Sequence, residues 1–131
     1  MKVKKILRFY FSAESLERAF DNLITRYALA SAERGGEESA ERILRVLGEK
    51  DELAKLWRYI DTVVPTLPPA EQSALKEYAA LRCGIKRISD EKRKLLRRSV
   101  IKFTRRARRL ESFIEGLRLV AKYYCLISPS P

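Results

Sequence analysis

The chain has 131 residues and no histidine, and its two cysteines, Cys83 and Cys125, form no CxxC pair. Imidazole is the commonest general base and a principal zinc ligand, so its absence removes most acid–base and zinc-site readings. Two isolated thiols read as reduced side chains, not as a metal or redox motif. There is no glycine-rich phosphate loop after a strand. The acidic pairs Glu37/Glu38 and Asp51/Glu52 read as first-turn residues of helices, where the macrodipole accounts for them. The expectation is therefore a protein that is not an enzyme, with no catalytic residue, metal or cofactor. Long apolar runs are also lacking, and none approaches the ~20 residues that span a bilayer. Met1 to Phe11 is basic with a broken apolar stretch, without a signal peptide's apolar core, which predicts a cytoplasmic protein with no membrane partner.

One local absence matters most. From Lys92 to Arg109 there is no Asp or Glu among eighteen positions, while ten are Lys or Arg. The formal net charge of +11 is concentrated around this run. Residues 1–66 hold 12 Lys/Arg against 11 Asp/Glu, a net of +1, and residues 67–131 hold 16 against 6, a net of +10. Such asymmetry favours a polyanionic partner for the second half.

What is present otherwise is helical patterning. At 131 residues the chain is about one domain and can bury roughly two-thirds of its unfolded surface without a metal or disulfide staple. The expected fold is all-α, with four to five helices in one domain (residues 1–131) and a long basic C-terminal helix. Residues 1–64 form its near-neutral half and 66–127 its basic half. Ser12 is a good N-cap with Glu14 and Glu17 behind it, which predicts a first helix from about Ala13 to Ala32. The segment before Ser12 fits a strand, a helical turn or an extended arm. Ala40, Ile43, Leu44 and Leu47, then Leu53, Leu56, Trp57, Ile60 and Val64, form a stripe that Gly48 splits into two helices or kinks. Trp57 lies on that stripe and reads as a core anchor. The prolines at 65, 68 and 69 place a new helix from about Pro69 to Arg82, with Gly84 as its stop. Ser89 caps the last element.

Within that last element, Leu96, Val100, Phe103, Ala107, Leu110, Ile114, Leu117, Ala121 and Tyr124 keep an unbroken 4-3 spacing. One straight helix from Asp90 to about Leu126 satisfies it. At 100° per residue the upper spine falls within about 80°, and the cations lie opposite it. Lys94, Arg97, Arg98, Lys102, Arg105, Arg106, Arg108 and Arg109 are the candidate nucleic-acid-binding residues. Arginine forks suit phosphate and guanine edges in bidentate fashion. Ile101 interrupts this face and could meet a thymine methyl or a backbone sugar, or pack on a neighbouring helix. Sparse aromatics near the run argue against a single-strand stacking platform. The lower spine, Leu110, Ile114, Leu117, Ala121 and Tyr124, packs into the N-terminal helices or forms a homodimer interface. Duplex DNA is the expected partner, and an acidic protein that docks on the stripe is the alternative.

Leu67-Pro68-x-x-Glu71-x-x-x-Leu75, then Leu81-Arg82, Gly84 and Ile88-Ser89, then Val100-x-x-Phe103-x-x-x-Ala107, resembles the region-four helix-turn-helix of bacterial sigma factors and of small phage-type sigma-like regulators. The resemblance covers residues 66–110. It implies a transcription regulator with RNA polymerase as a candidate partner. It makes Leu75 and Leu81 scaffold positions and turns Arg97, Arg98, Lys102, Arg105 and Arg106 toward DNA. The chain departs from the family between Lys92 and Ser99, where the expected turn has no glycine.

Overall fold

The computed structural model describes residues 3–34, 37–81 and 88–124. Among these, six α-helices form and no strand does. They are α1 (Val3–Phe11), α2 (Ala13–Arg34), α3 (Glu37–Val63), α4 (Pro69–Ala80), α5 (Asp90–Arg106) and α6 (Ile114–Tyr123). Short 3₁₀ turns, Val64–Thr66 and Leu110–Ser112, follow α3 and precede α6. Gly84, the expected stop after the fourth helix, lies outside the described residues, as do Gly35, Gly36, Arg82, Cys83 and Cys125.

The segment before Ser12 is a helix, because Ile6, Leu7 and Phe9 all bury against the core and a helix places them on one side. α2 begins at Ala13 as the Ser12 cap predicts. α3 runs unbroken through Gly48, and a Cβ at that position would meet nothing within 4 Å. Asp51 and Glu52 therefore sit in the middle of α3, not in a first turn. Pro69 opens α4, where its missing N–H costs nothing. Ser89 caps α5 by accepting from the Lys92 N–H, a long contact of 3.4 Å.

The long C-terminal helix does not form. α5 ends at Arg106, and residues 107–113 turn before α6 begins. The upper spine packs as its spacing predicts: Leu96, Phe103, Ala107 and Leu110 are buried and Val100 is half-buried. Below the turn the inward set shifts. Gly116, Leu119, Val120 and Tyr123 are buried, whereas Ile114 is 75% exposed and Ala121 is exposed. Of the expected homodimer residues, Ile114 and Ala121 are thus exposed and Leu117 is half-buried. Leu110 lies in the core, and Tyr124 stacks on Phe9 and accepts a hydrogen bond from Arg8 at 3.0 Å.

Three antiparallel pairings organise the molecule. α2 lies against α3, with Lys50 opposite Asp21 and the Arg42 guanidinium over the Tyr27 ring. α6 returns along α3, where Gly116 faces Leu56 and Lys122 meets Glu49. α4 and α5 form the third pair. α1 packs on both α4 and α6 and so joins the α4–α5 pair to the rest. One hydrophobic cluster runs through all six helices, with Phe9, Phe20, Leu56, Ile60, Leu75, Phe103 and Leu119 fully buried within it. Trp57 anchors it edge-on to Phe9 at 5.7 Å.

Candidate nucleic-acid interface

The basic run lies on α5 and the turn that follows. α5 packs mainly on α4, and this contact divides its cations into two sets. Lys92 pairs with Glu77, Lys102 meets Glu71 at 2.8 Å, and Arg106 reaches the carbonyl and hydroxyl of Thr66. These contacts descend α4 as they ascend α5, which makes a polar zipper along the seam. Glu71 is its centre. Its side chain is buried, Arg98 approaches it at 3.6 Å, and its second carboxylate oxygen has no hydrogen-bond partner. A buried carboxylate is tolerable only with such compensation.

Lys94, Arg97 and Arg105 are exposed and make no ion pair with α4, with Ile101, 50% exposed, among them. Ile101, Val100, Arg97 and Tyr78 line a shallow hollow of about 160 Å³. No carboxylate lies within 4.0 Å of Lys94, Arg97, Arg105, Arg106, Arg108 or Arg109 among the described residues. α5 is helical throughout Asp90–Arg106, so the residues to which the sigma-like pattern assigns a turn, 92–99, form part of one helix. Ser99 is buried in that helix and donates to the Leu95 carbonyl at 2.7 Å, satisfying itself without breaking the ladder.

The turn after Arg106 is held from α3. The Arg109 N–H donates to the Tyr59 hydroxyl at 3.0 Å, and the Tyr59 ring stacks on Phe113 with centroids 5.1 Å apart. Ala107 donates back to the Phe103 carbonyl at 2.8 Å, closing the last helical hydrogen bond. The result is an open groove of about 690 Å³. One wall is Arg105, Arg106, Arg108 and Arg109; the other is Tyr59, Thr62, Val63 and Thr66. The four arginines are all sequence candidates. Tyr59, Thr62 and Thr66 carry no signal in the sequence, because nothing local links residues 59–66 to residues 105–109.

The structure thus brings Arg105, Arg106, Arg108 and Arg109 together. It sets Lys94 and Arg97 apart up the helix and turns Lys102 inward onto Glu71. No group of three or more His, Cys, Asp or Glu able to hold a metal exists among the described residues, and no helix there is long and apolar enough to cross a membrane. Comparison with protein-family models, with curated proteins and with solved structures finds no match.

Proposed function

We propose that this chain is a non-enzymatic nucleic-acid-binding protein, a small DNA-binding regulator of phage or mobile-element type, which contacts duplex DNA through the outer face of α5. One observation carries the reading: Lys94, Arg97 and Arg105 are exposed along α5, and among the described residues none of the three has a carboxylate within 4.0 Å. Lys94 to Arg105 is twelve residues of helix and spans roughly 17 Å, about five base-pair steps of ~3.4 Å. Neutralised phosphates supply the affinity, and Arg97 or Arg105 supplies base-edge contact. The sigma-like resemblance adds RNA polymerase as a candidate partner.

The three cations of that face, one phosphate contact each, give a log–log salt slope of about −3. Charge reversal at Arg98 or Lys102 would strip compensation from Glu71 and confound folding with binding. Lys94→Gln with Arg97→Gln removes two exposed cations that make no ion pair among the described residues. That double variant should keep its helical circular dichroism and lose about two from the salt slope for duplex DNA. Unchanged affinity and slope, measured by fluorescence anisotropy at several salt concentrations, would overturn the reading.

A further inference from the structure

The cationic surface continues past the end of α5 and changes shape there. On the helix it is convex. Beyond Arg106 the backbone folds over Tyr59 and the surface becomes a groove with Arg105, Arg106, Arg108 and Arg109 along one side. Two of these side chains are held by uncharged groups. Arg106 is tied to Thr66, and the Arg108 Nε donates to the Arg105 carbonyl at 3.3 Å, leaving its terminal amino groups free of that bond. The Tyr59 hydroxyl accepts the Arg109 N–H and keeps its own proton to donate. No carboxylate lies within 4.0 Å of any of the four guanidinium groups among the described residues.

Four like charges gathered with no carboxylate in ion-pair contact repel one another, and the arrangement is relieved when an anion enters. The guanidinium fork matches phosphate oxygens in bidentate geometry. The groove, at about 690 Å³, falls in the range of about 300–1,000 Å³ typical of ligand sites, so it holds more than a single phosphate. We propose that it seats consecutive phosphates of one nucleic-acid strand and anchors that strand at the end of α5. The outer face engages the same ligand further along. This rests on the nucleic-acid reading and assigns that reading a second, concave contact with Tyr59 and Thr66 in its wall.

The test uses the full chain with two probes, inorganic tripolyphosphate and a mixed-sequence DNA duplex. It compares wild type with Arg108→Gln/Arg109→Gln and with Lys94→Gln/Arg97→Gln. All four side chains are exposed, so circular dichroism should match across the three proteins. Wild type and the Lys94/Arg97 variant should bind tripolyphosphate alike by titration calorimetry. The Arg108/Arg109 variant should bind it roughly tenfold more weakly or worse, having lost two charge-assisted contacts. Tripolyphosphate should compete with DNA, and the Arg108/Arg109 variant's DNA salt slope should fall by about two. Unchanged tripolyphosphate affinity and DNA slope in that variant overturn the groove, and the nucleic-acid reading survives if the Lys94/Arg97 variant still loses DNA. Groove-dependent tripolyphosphate binding by a wild type that binds no DNA overturns the strand as ligand and the nucleic-acid reading with it, leaving a free oligophosphate as the occupant.

Discussion

Glu49 is a carboxylate inside the α3–α6 contact, 8% exposed, and its two oxygens take Lys122 at 2.8–3.0 Å and the Tyr123 hydroxyl at 3.0 Å. Burial raises the Tyr123 pKa above its ordinary value of 10.0, and the hydrogen bond to Glu49 adds to it. Tyr10 is raised in the same way, by burial and by its bond to Asp61. A raised folded pKa means the native state holds its proton more tightly than the unfolded chain does. Stability from these phenols is therefore complete below about pH 10 and is lost as pH rises above it. Denaturant unfolding between pH 9 and pH 11.5 should show a steeper fall for wild type than for Tyr10→Phe/Tyr123→Phe. Parallel pH dependences would show that the two phenols titrate normally. None of these pairings could be read from the sequence, since Glu49 and Tyr123 are 74 positions apart.

At the scale of the element, α3 shows how little a single glycine says. Gly48 lies in mid-helix, and an added Cβ there meets nothing within 4 Å. Glycine inside a helix costs roughly 0.5–1 kcal/mol relative to alanine, through backbone entropy. Gly48→Ala should therefore stabilise the protein by about that amount, raising the thermal midpoint by a few degrees. A lowered midpoint would mean that α3 bends at Gly48. Gly116 behaves differently, because a Cβ would come within 3.2 Å of Leu56 where α6 crosses α3. The caps and prolines made α2, α4 and α5 legible from local residues: Ser12, Pro69 and Ser89 each stand where a helix begins. The end of α5 was not legible. Its apolar spacing continues through residues 107–113 without a glycine or proline, and the turn there is held by Tyr59, which belongs to another helix.

At the scale of the whole molecule, α6 closes the core. Leu119 and Val120 are fully buried, and Tyr123 packs edge-on against Phe20 of α2. Burying a side chain of this size contributes roughly 1.5–3 kcal/mol, which makes three such losses comparable to the ~5–15 kcal/mol stability of an entire domain. A chain truncated after Ser112 should therefore lose its cooperative thermal transition while keeping residual helical circular dichroism. Retention of a sharp transition at the wild-type midpoint would show that α1–α5 form a self-sufficient core. The same architecture governs the surface charge. Because α4 faces α5, Glu71 and Glu77 draw Lys92, Lys102 and one side of Arg98 toward the seam, and Lys94, Arg97 and Arg105 are left exposed.

The sequence by itself determined the helical class, the starts of three helices, the upper packing face of α5 and the eight candidate cations. Each of these depends on residues within one or two turns of one another, where capping and 3.6-residue periodicity act. The tertiary structure alone decided which cations remain outward and where the basic helix stops. It also decided that four arginines line one groove with Tyr59, Thr62 and Thr66. Those outcomes depend on α3 and α4 lying against α5 and its turn, a contact between segments dozens of residues apart that no local pattern encodes. The acid-free run from Lys92 to Arg109, uniform along the chain, is therefore three surfaces in the folded molecule: a seam, a convex face and a groove.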